Sequence, residues 1–328
     1  MRQSWCAIAA AALAACSSFE SEEIVLDLRV IAMQASVPEQ VVEVDLQNPP
    51  QPADLLPQLV PSEVCALVAD PDRERRLRYQ LRLCVDNRGR CDEGQPSLEL
   101  ASGFIDDPDT SLVAPRLCAT VQPDANLLGI LLAVLKLDAL HGLGGLDYLV
   151  ALRVGGEDED PANDIFAGKT LRVSPKIPAA RTANTNPSLD YLQIAIDEAE
   201  PIQLPFGRCL EQTAPVTVNA GARVRITPVE SETARETYVV PTLDGNAETF
   251  TESLTYQWLA DGGGFSKNET GGPRNRVTGN PAPLFTDFRA PSAKTVDVER
   301  HVKLWIVQRD ERLGSQWYET CVRVVAGG

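Results

Sequence analysis

The chain has 328 residues, with 46 acidic and 30 basic side chains, a formal net charge of −16 and 44% hydrophobic residues. This excess of carboxylates argues against nucleic-acid binding and against lying flat on anionic lipid. The hydrophobic content is too high for a disordered chain, and the length is typical of two domains of roughly 150 residues each.

The amino terminus, MRQSWCAIAAAALAAC, has the three parts of an export signal. Arg2 supplies a positive head, residues 7–15 form a short apolar core, and small residues precede a cysteine. The core is too short to span a bilayer, which takes roughly 20 apolar residues. The pattern therefore predicts a signal peptide over residues 1–15.

The last four residues of this stretch, LAAC, resemble the lipobox of bacterial lipoproteins. The resemblance implies that Leu13, Ala14 and Ala15 are recognised for cleavage and that Cys16 is acylated on its sulfur and its new amine. Several acyl chains on one residue anchor firmly, whereas one chain anchors only marginally. Ser17 in place of aspartate implies the outer membrane, in a double-membraned bacterium. The alternative is an ordinary signal peptide with an incidental cysteine.

After a short acidic tether, residues 16–23, the pattern over residues 24–173 predicts a first β-rich domain. IVLDLRVIAM, VVEVDLQ, VCALVAD, RYQLRLCV, YLVALRV and KTLRVSP read as strands. A strongly apolar stretch near 124–149 interrupts them, with Asp124 as a helix N-cap. We expect a helical insertion, either packed on the sheet or exposed as an apolar lid or a partner-binding helix.

Residues 174–187 carry several breaker residues and little apolar content, which predicts a linker. Beyond it, residues 188–328 contain strand candidates at the spacing of a β-sandwich, among them VTVNAGARVRITPV, LTYQWLADGG and HVKLWIVQRDE. Trp258, in the middle of a strand, is expected in the core.

The second half resembles immunoglobulin-like and PKD-like domains in LTYQWLADGGGFS, RAPS and VKLWIVQRDERLGSQWYETCVRVV. Together with the lipobox, it is similar to uncharacterised bacterial cell-surface lipoproteins with tandem domains of this kind. The resemblance implies a mainly β fold with two Ig-like β-sandwiches, the first carrying the apolar helix. The turn RDERLG departs from the more glycine-rich turn usual there.

Six cysteines remain once Cys6 leaves with the signal and Cys16 is acylated, an even number suited to disulfides in an exported chain. Cys84 and Cys91 flank a turn-like VDNRGR and predict a hairpin disulfide. Cys209 and Cys321 are the two cysteines of the second half, and the pair of Cys65 with Cys118 follows by elimination.

Residues for catalysis are few. The chain has two histidines, His141 at the predicted helix end and His301 on a predicted strand, without an identifiable partner or a GxSxG sequence. Glycine-rich GLGGL and DGGGF lack phosphate-loop spacing and are expected to be turns. We therefore expect no catalytic activity. A carboxylate-dependent hydrolase stays open, since two acids under about 10 Å apart in a cleft would suffice.

Calcium is the one cofactor that the sequence leaves open. Carboxylates crowd into two loops, and Ca²⁺ prefers oxygen ligands, although no EF-hand spacing is present. The candidates are Glu157, Asp158, Glu159, Asp160 and Asp164, with Asp106, Asp107 and Asp109 as a second group. A group of arginines is expected to form either the solvent-exposed face of a strand or a docking patch. This basic stripe comprises Arg73, Arg75, Arg76, Arg78 and Arg82.

These features predict a lipid-anchored protein of the cell envelope that acts as a noncatalytic binding, adhesion or scaffolding module for an envelope protein or polysaccharide. A rival interpretation is an accessory subunit of an envelope complex that docks through residues 125–140. In that case, a charge at Leu131 should release the partner.

The lipid anchor is tested by substitution at Cys16. We expect the mature native chain to have the mass of residues 16–328 plus acyl groups, and Cys16→Ser to leave the membrane fraction, because the substitution removes the acceptor sulfur. Mass spectrometry and cell fractionation measure both. An unmodified Cys16, or a serine variant that fractionates with envelopes as the parent does, would contradict the prediction.

Overall fold

A computed structural model of the chain describes residues 22–326, except for positions 46, 48–51, 71–74, 106–116, 197–198, 243–245 and 297–298. The signal peptide, Cys16 and all but the last two residues of the predicted tether lie outside the described residues. The described part of the chain is mainly β, as the alternating sequence pattern predicts.

The first body consists of the strands up to Pro175 and is built around two sheets. Its strands are β1 (Arg29–Ala35), β2 (Glu39–Val42), β3 (Ser62–Ala69), β4 (Leu77–Cys84), β5 (Asp86–Asn87), β6 (Arg90–Cys91), β7 (Ser97–Ile105), β8 (Leu117–Val121), β9 (Leu146–Gly156) and β10 (Ile165–Pro175). One sheet has the order β1-β3-β8, and the other has the order β2-β10-β9-β4-β7.

The core of the first body lies between these sheets. Val64 of β3, Leu81 of β4 and Val150 of β9 are all fully buried in it. Every second side chain of a strand points to the same face, so the alternation in the sequence places these residues inside and the arginines of β4 outside. β2 pairs with β10 in parallel, and the β10–β9, β9–β4 and β4–β7 pairs are antiparallel.

The helices of the first body pack at one end of this core. They are α1 (Pro52–Leu55), continued by a 3-10 turn (Leu56–Gln58), and α2 (Ala125–Leu137). The Asp124 carboxylate accepts from the amides of Asn126 and Leu127, which stabilises the start of α2 as the sequence predicts. Among the described residues, neither helix has the length and apolar character to cross a membrane.

The second body contains two further five-stranded sheets. Its strands are β11 (Leu189–Ile196), β12 (Ile202–Leu204), β13 (Val216–Asn219), β14 (Arg223–Glu230), β15 (Thr237–Pro241), β16 (Ala247–Thr251), β17 (Thr255–Ala260), β18 (Gly264–Phe265), β19 (Glu269–Gly271), β20 (Thr286–Arg289), β21 (Glu299–Arg309) and β22 (Ser315–Val325). The sheet orders are β12-β11-β14-β20-β18 and β13-β22-β21-β17-β19, and β15 and β16 form a separate hairpin.

Strand β21 is buried on both faces from Val302 to Gln308, which explains why apolar residues occupy both sides of this strand. Val302, Leu304 and Ile306 point into the core of the second body, together with Trp258. Trp305, on the opposite face, is fully buried in a cluster that also contains residues of β1 and β3. The two bodies therefore share an apolar contact built on β1 and β21.

The residues of the predicted linker pack against the second body. β10 extends through Ser174 and Pro175, and Asn184 is only 2% exposed. The Asn184 amide donates to the Asp310 carboxylate at 3.0 Å and to the Arg312 carbonyl at 2.9 Å. The turn between β21 and β22, residues 310–314, is thus a contact between the bodies as well as a hairpin turn.

A buried ion network joins the bodies at this turn. The Glu39 carboxylate pairs with Arg181 at 2.8 Å and with Arg312 at 3.0 Å, and it accepts from the Ser174 hydroxyl at 2.6 Å. Burial alone would raise the pKa of Glu39, but the Ser174 hydrogen bond and the two guanidinium groups lower it below its ordinary value. Glu39 is therefore held as an anion.

A buried lysine adds a second contact of the same kind. The Lys169 ammonium of β10 donates to the Ser315 hydroxyl at 2.8 Å and to the Leu313 carbonyl. The Ser315 hydroxyl in turn donates to the Met33 carbonyl at 2.9 Å. Burial lowers the pKa of Lys169 to about 8. Strands from both bodies thus meet at one hydrogen-bonded point.

Three disulfides have the pairing that the sequence favours. Cys65–Cys118 joins opposed residues of β3 and β8, Cys84–Cys91 closes the β5–β6 hairpin, and Cys209–Cys321 ties a 3-10 turn to β22. In the β5–β6 hairpin, Arg88 and Gly89 both have positive φ, at 56° and 81°. This is the turn geometry that two-residue hairpin loops prefer.

The importance of the ion network is tested with Glu39→Gln. We expect the free energy of unfolding at neutral pH to fall by about 3–5 kcal/mol, because the variant removes the carboxylate that pairs with the buried Arg181 and one of those that pair with Arg312. Glu43→Gln, which removes an exposed ion pair with Lys176, should cost less than about 1 kcal/mol. Urea denaturation measures both changes.

The same pair of proteins gives a pH dependence. The pKa of Glu39 is lowered in the folded state, so its ionised form adds to the free energy of unfolding above the ordinary pKa of 4.5. This contribution is lost as the pH falls through the lowered pKa of the folded state. The difference in free energy of unfolding between wild type and Glu39→Gln should therefore become smaller at acid pH. Equal effects of the Glu39 and Glu43 substitutions at neutral pH would contradict the assigned role.

Candidate functional site

The acidic loop and the basic stripe that the sequence singles out bind each other. Arg75 pairs with Glu159 at 2.6 Å and Arg76 with Glu157 at 3.0 Å. The buried Asp164 carboxylate is shared between Arg78, at 2.5 Å, and Arg153, at 2.6 Å. The four pairs thus join the start of β4, the two residues before it and β9 to the loop between β9 and β10.

Because three of the five candidate carboxylates pair with arginines, few carboxylate oxygens of this loop are available to a calcium ion. The Asp160 carboxylate accepts from the Ala162 amide at 2.9 Å and begins a 3-10 turn, and Asp158 is exposed. Within the described residues, the single metal-like cluster comprises Glu63, Cys65 and Cys118, whose two sulfurs form a disulfide. Asp106, Asp107, Asp109 and Arg73 lie outside the described residues.

The hydrolase alternative needs two neighbouring carboxylates in a cleft, and one such pair lies beside Arg312. Glu236 and Glu252 approach the same Arg312 nitrogen at 3.4 and 3.5 Å. Burial, with the charges of Asp310 and Glu236, raises the pKa of Glu252 to about 7. The Glu252 carboxylate also accepts from the Glu236 amide at 2.9 Å, so both carboxylates bind within the second body around Arg312.

The most distinctive cavity lies at the helical end of the first body and has a volume of about 330 Å³. Leu128, Leu132 and Leu135 form one wall, because residues at i, i+4 and i+7 share a face of α2. We call this space the leucine pocket. Its lining is Val42, Val44, Asp45, Leu55, Leu56, Leu59, Leu128, Leu131, Leu132, Leu135, His141, Gly142, Leu143, Leu146, Val173, Pro175 and Ile177.

The two faces of α2 explain why the helix is apolar all round. Leu127, Ile130 and Leu131 pack into the core of the first body, at 8% exposure or less. The opposite wall of the pocket comes from the segment after α1, and its floor comes from the ends of β2 and β10. One side of α2 thus packs into the core, as the buried-helix alternative predicts, and leucines of the same helix line the pocket.

The mouth of the pocket is shaped by the HGLGG stretch after α2. The Asp138 carboxylate accepts from the Gly142 amide at 2.6 Å and from the Leu140 amide at 3.2 Å, which lowers the pKa of Asp138. His141 and Gly142 have φ values of 51° and 86°, so the chain turns back toward β9. A side chain at Gly142 would also press on Leu135, 3.4 Å away.

Three exposed leucines lie at the end of α2 and in the stretch after it. Leu137, Leu140 and Leu143 are 64%, 61% and 51% exposed, and Leu143 also lines the pocket. Large apolar side chains are more often buried than exposed. Asp45 and His141 are the ionisable residues of the lining, so the pocket can hold an apolar group and offers polar contacts at its rim alone.

His301 lies far from this pocket, exposed on β21 opposite Arg323 of β22. The sequence places His141 correctly beside the helix end, but it does not identify the pocket. The leucine spacing of α2 was a signal for one wall. The other walls come from residues 42–59 and 173–177, which are distant in the chain and carry no recognisable motif.

No protein-family model matches the chain, and no curated protein matches it. Among solved structures it is similar to a red sea bream transglutaminase, with 10% identity, a TM-score of 0.24 and coverage of 91% of this chain and 31% of the other. For the C-terminal domain of the BspA AgI/II polypeptide of Streptococcus agalactiae, these values are 9%, 0.21, 89% and 99%. For E. coli alpha-2-macroglobulin they are 11%, 0.20, 90% and 16%.

The two faces of α2 are tested by placing a charge on each. Leu131→Asp should lower the free energy of unfolding by several kcal/mol, because it buries an unpaired carboxylate. Leu137→Asp, at a position of α2 that is 64% exposed, should change it by no more than about 0.5 kcal/mol. Equal destabilisation of both variants in urea would contradict this assignment.

Proposed function

We propose that this protein is a noncatalytic binding module of the cell envelope, anchored to a membrane by acyl groups on Cys16, that holds the apolar part of a partner in the leucine pocket. The observation that carries the proposal is the pocket itself. It combines an aliphatic lining with exposed leucines at its mouth, a pattern typical of binding sites.

The position of the tether supports the anchoring part of the proposal. The Val25 amide donates to the Ala260 carbonyl at 2.9 Å, so the chain enters the structure beside β17 of the second body. Glu22 follows Cys16 by six positions, and an extended chain of that length reaches roughly 20 Å. The end of the second body near Ala260 would then lie close to the lipid surface.

The leucine pocket belongs to the first body, whereas the tether enters beside the second. β1 runs from the tether along β21 to Met33, where Ser315 and Lys169 meet, and the chain continues through β2 beside the end of β10. With about 3.3 Å per residue, the strands separate the Ala260 end from Pro175 by on the order of 40 Å. An anchored molecule would present its pocket away from its own membrane.

The chemistry of the pocket favours an apolar partner over a polysaccharide. A sugar chain requires many hydrogen-bonding groups, whereas the lining offers Asp45 and His141 at the rim. The partner is therefore an envelope protein or lipid with an exposed apolar group. In this proposal α2 still binds the partner, and it does so through the face that bears Leu132. The net charge of −16 disfavours nucleic acid.

A photo-crosslinking residue at Leu143, at the mouth, tests this function in intact envelopes. We expect an adduct that disappears when Leu132→Trp fills the pocket, because the partner then loses its site. The matched control is the same crosslinker at Ile202, which is 47% exposed on β12 of the second body. Equal labelling from both positions, or an adduct that survives the filled pocket, would contradict the proposal.

A further inference from the structure

We propose that the leucine pocket binds one saturated acyl chain of a monoacyl lipid whose head group is uncharged or zwitterionic; this inference rests on the proposed binding function and specifies its ligand. The alternatives, a peptide segment of a partner or a second copy of this chain, are outcomes of the test below.

The lining is the first argument for an acyl chain. Every inward side chain from α2, the segment after α1 and the floor of β2 and β10 is aliphatic, and no aromatic residue is among them. An aliphatic chain needs dispersion contacts and no hydrogen bonds, so this lining satisfies it completely. The cavity of about 330 Å³ lies at the small end of the range of roughly 300–1,000 Å³ for ligand sites, which favours one chain over two.

The shape of the wall is the second argument. Leu128, Leu132 and Leu135 form a continuous stripe along α2, and a rise of about 1.5 Å per residue gives this stripe a length of roughly 10 Å. The stripe ends at the mouth, where Leu143 and His141 lie. The pocket therefore suits a linear group that enters end-on and leaves a polar head outside.

The charges at the mouth determine the head group. Asp45 lines the rim, Asp138 shapes the turn beside it, and hydrogen bonds keep the pKa of Asp138 low, so that it stays ionised. A free fatty acid would place its carboxylate near these anions and would be repelled. An ester-linked chain with a neutral or zwitterionic head avoids that cost, and His141 can donate to its polar oxygen atoms.

The acyl groups of the chain's own anchor are not the occupant. Cys16 lies within roughly 20 Å of Glu22, since Glu22 follows it by six positions. The pocket lies on the order of 40 Å from the point where the tether enters, at the other end of the strands. The lipid must therefore come from another molecule, across the aqueous space that the anchored protein faces.

The inference is tested by titration of full-chain protein carrying Cys16→Ser, which has no acyl groups of its own. The probes are monolaurin, monocaprin and laurate below their micelle concentrations, followed by calorimetry. Monolaurin should bind saturably to one site. Monocaprin, with two methylenes fewer, should bind about fifteen-fold more weakly, the fold-change that corresponds to about 0.8 kcal/mol for each buried CH₂. Laurate, as an anion, should bind more weakly than monolaurin.

Two tryptophan variants locate the site. Leu132→Trp should abolish monolaurin binding because it fills the pocket, whereas Leu137→Trp, on the exposed face of the same helix, should leave it unchanged. Circular dichroism checks that both variants fold. If Leu132→Trp does not fold, the dependence of binding on chain length in the parent protein decides the question alone.

Absence of saturable monolaurin binding, binding independent of chain length, or tighter binding of laurate would overturn the inference. If monolaurin fails but the Leu143 crosslinker still gives a pocket-dependent protein adduct, the occupant is a peptide segment and the proposed function stands. If that adduct is a second copy of this chain, the pocket is an interface between copies. If neither lipid nor adduct is found, the proposed function fails as well.

Discussion

The arrangement of the two bodies depends on the buried Glu39 carboxylate. Arg181 follows it by more than a hundred residues and Arg312 lies near the end of the chain, yet both guanidinium groups meet it. A buried carboxylate without such partners would be costly, so the contact is satisfied in one arrangement alone. The apolar layer around Trp305 adds area, but apolar contact is not directional. The ion network therefore sets the geometry.

This geometry gives the proposed function its direction. Strands β1, β10 and β22 meet where Lys169 contacts Ser315. The first body contains the leucine pocket, and the tether enters beside the second body. If the bodies could rotate freely, a short tether would not define which surface faces away from the membrane. Because they are joined, an anchor at one end would present a binding pocket at the other.

Local sequence patterns predict the elements well and the site poorly. Alternation identifies β4 and β21, and Asp124 with its following leucines identifies α2, because both signals depend on neighbours along the chain. The strand predicted over residues 41–47 ends in the structure at Val42, and the segment after it lines the pocket. The pairing of Arg78 with Asp164 and the contacts of the 310–314 turn join distant residues and leave no periodic pattern.

The joining of the bodies is the central claim, and a distance between nitroxide labels tests it most directly. Labels on Leu140→Cys, beside the pocket, and Glu299→Cys, at the start of β21, should give one narrow distribution centred on the order of 50 Å, from about 3.3 Å per residue along the strands. A broad distribution, or a centre at half that distance, would show that the bodies are not held as described.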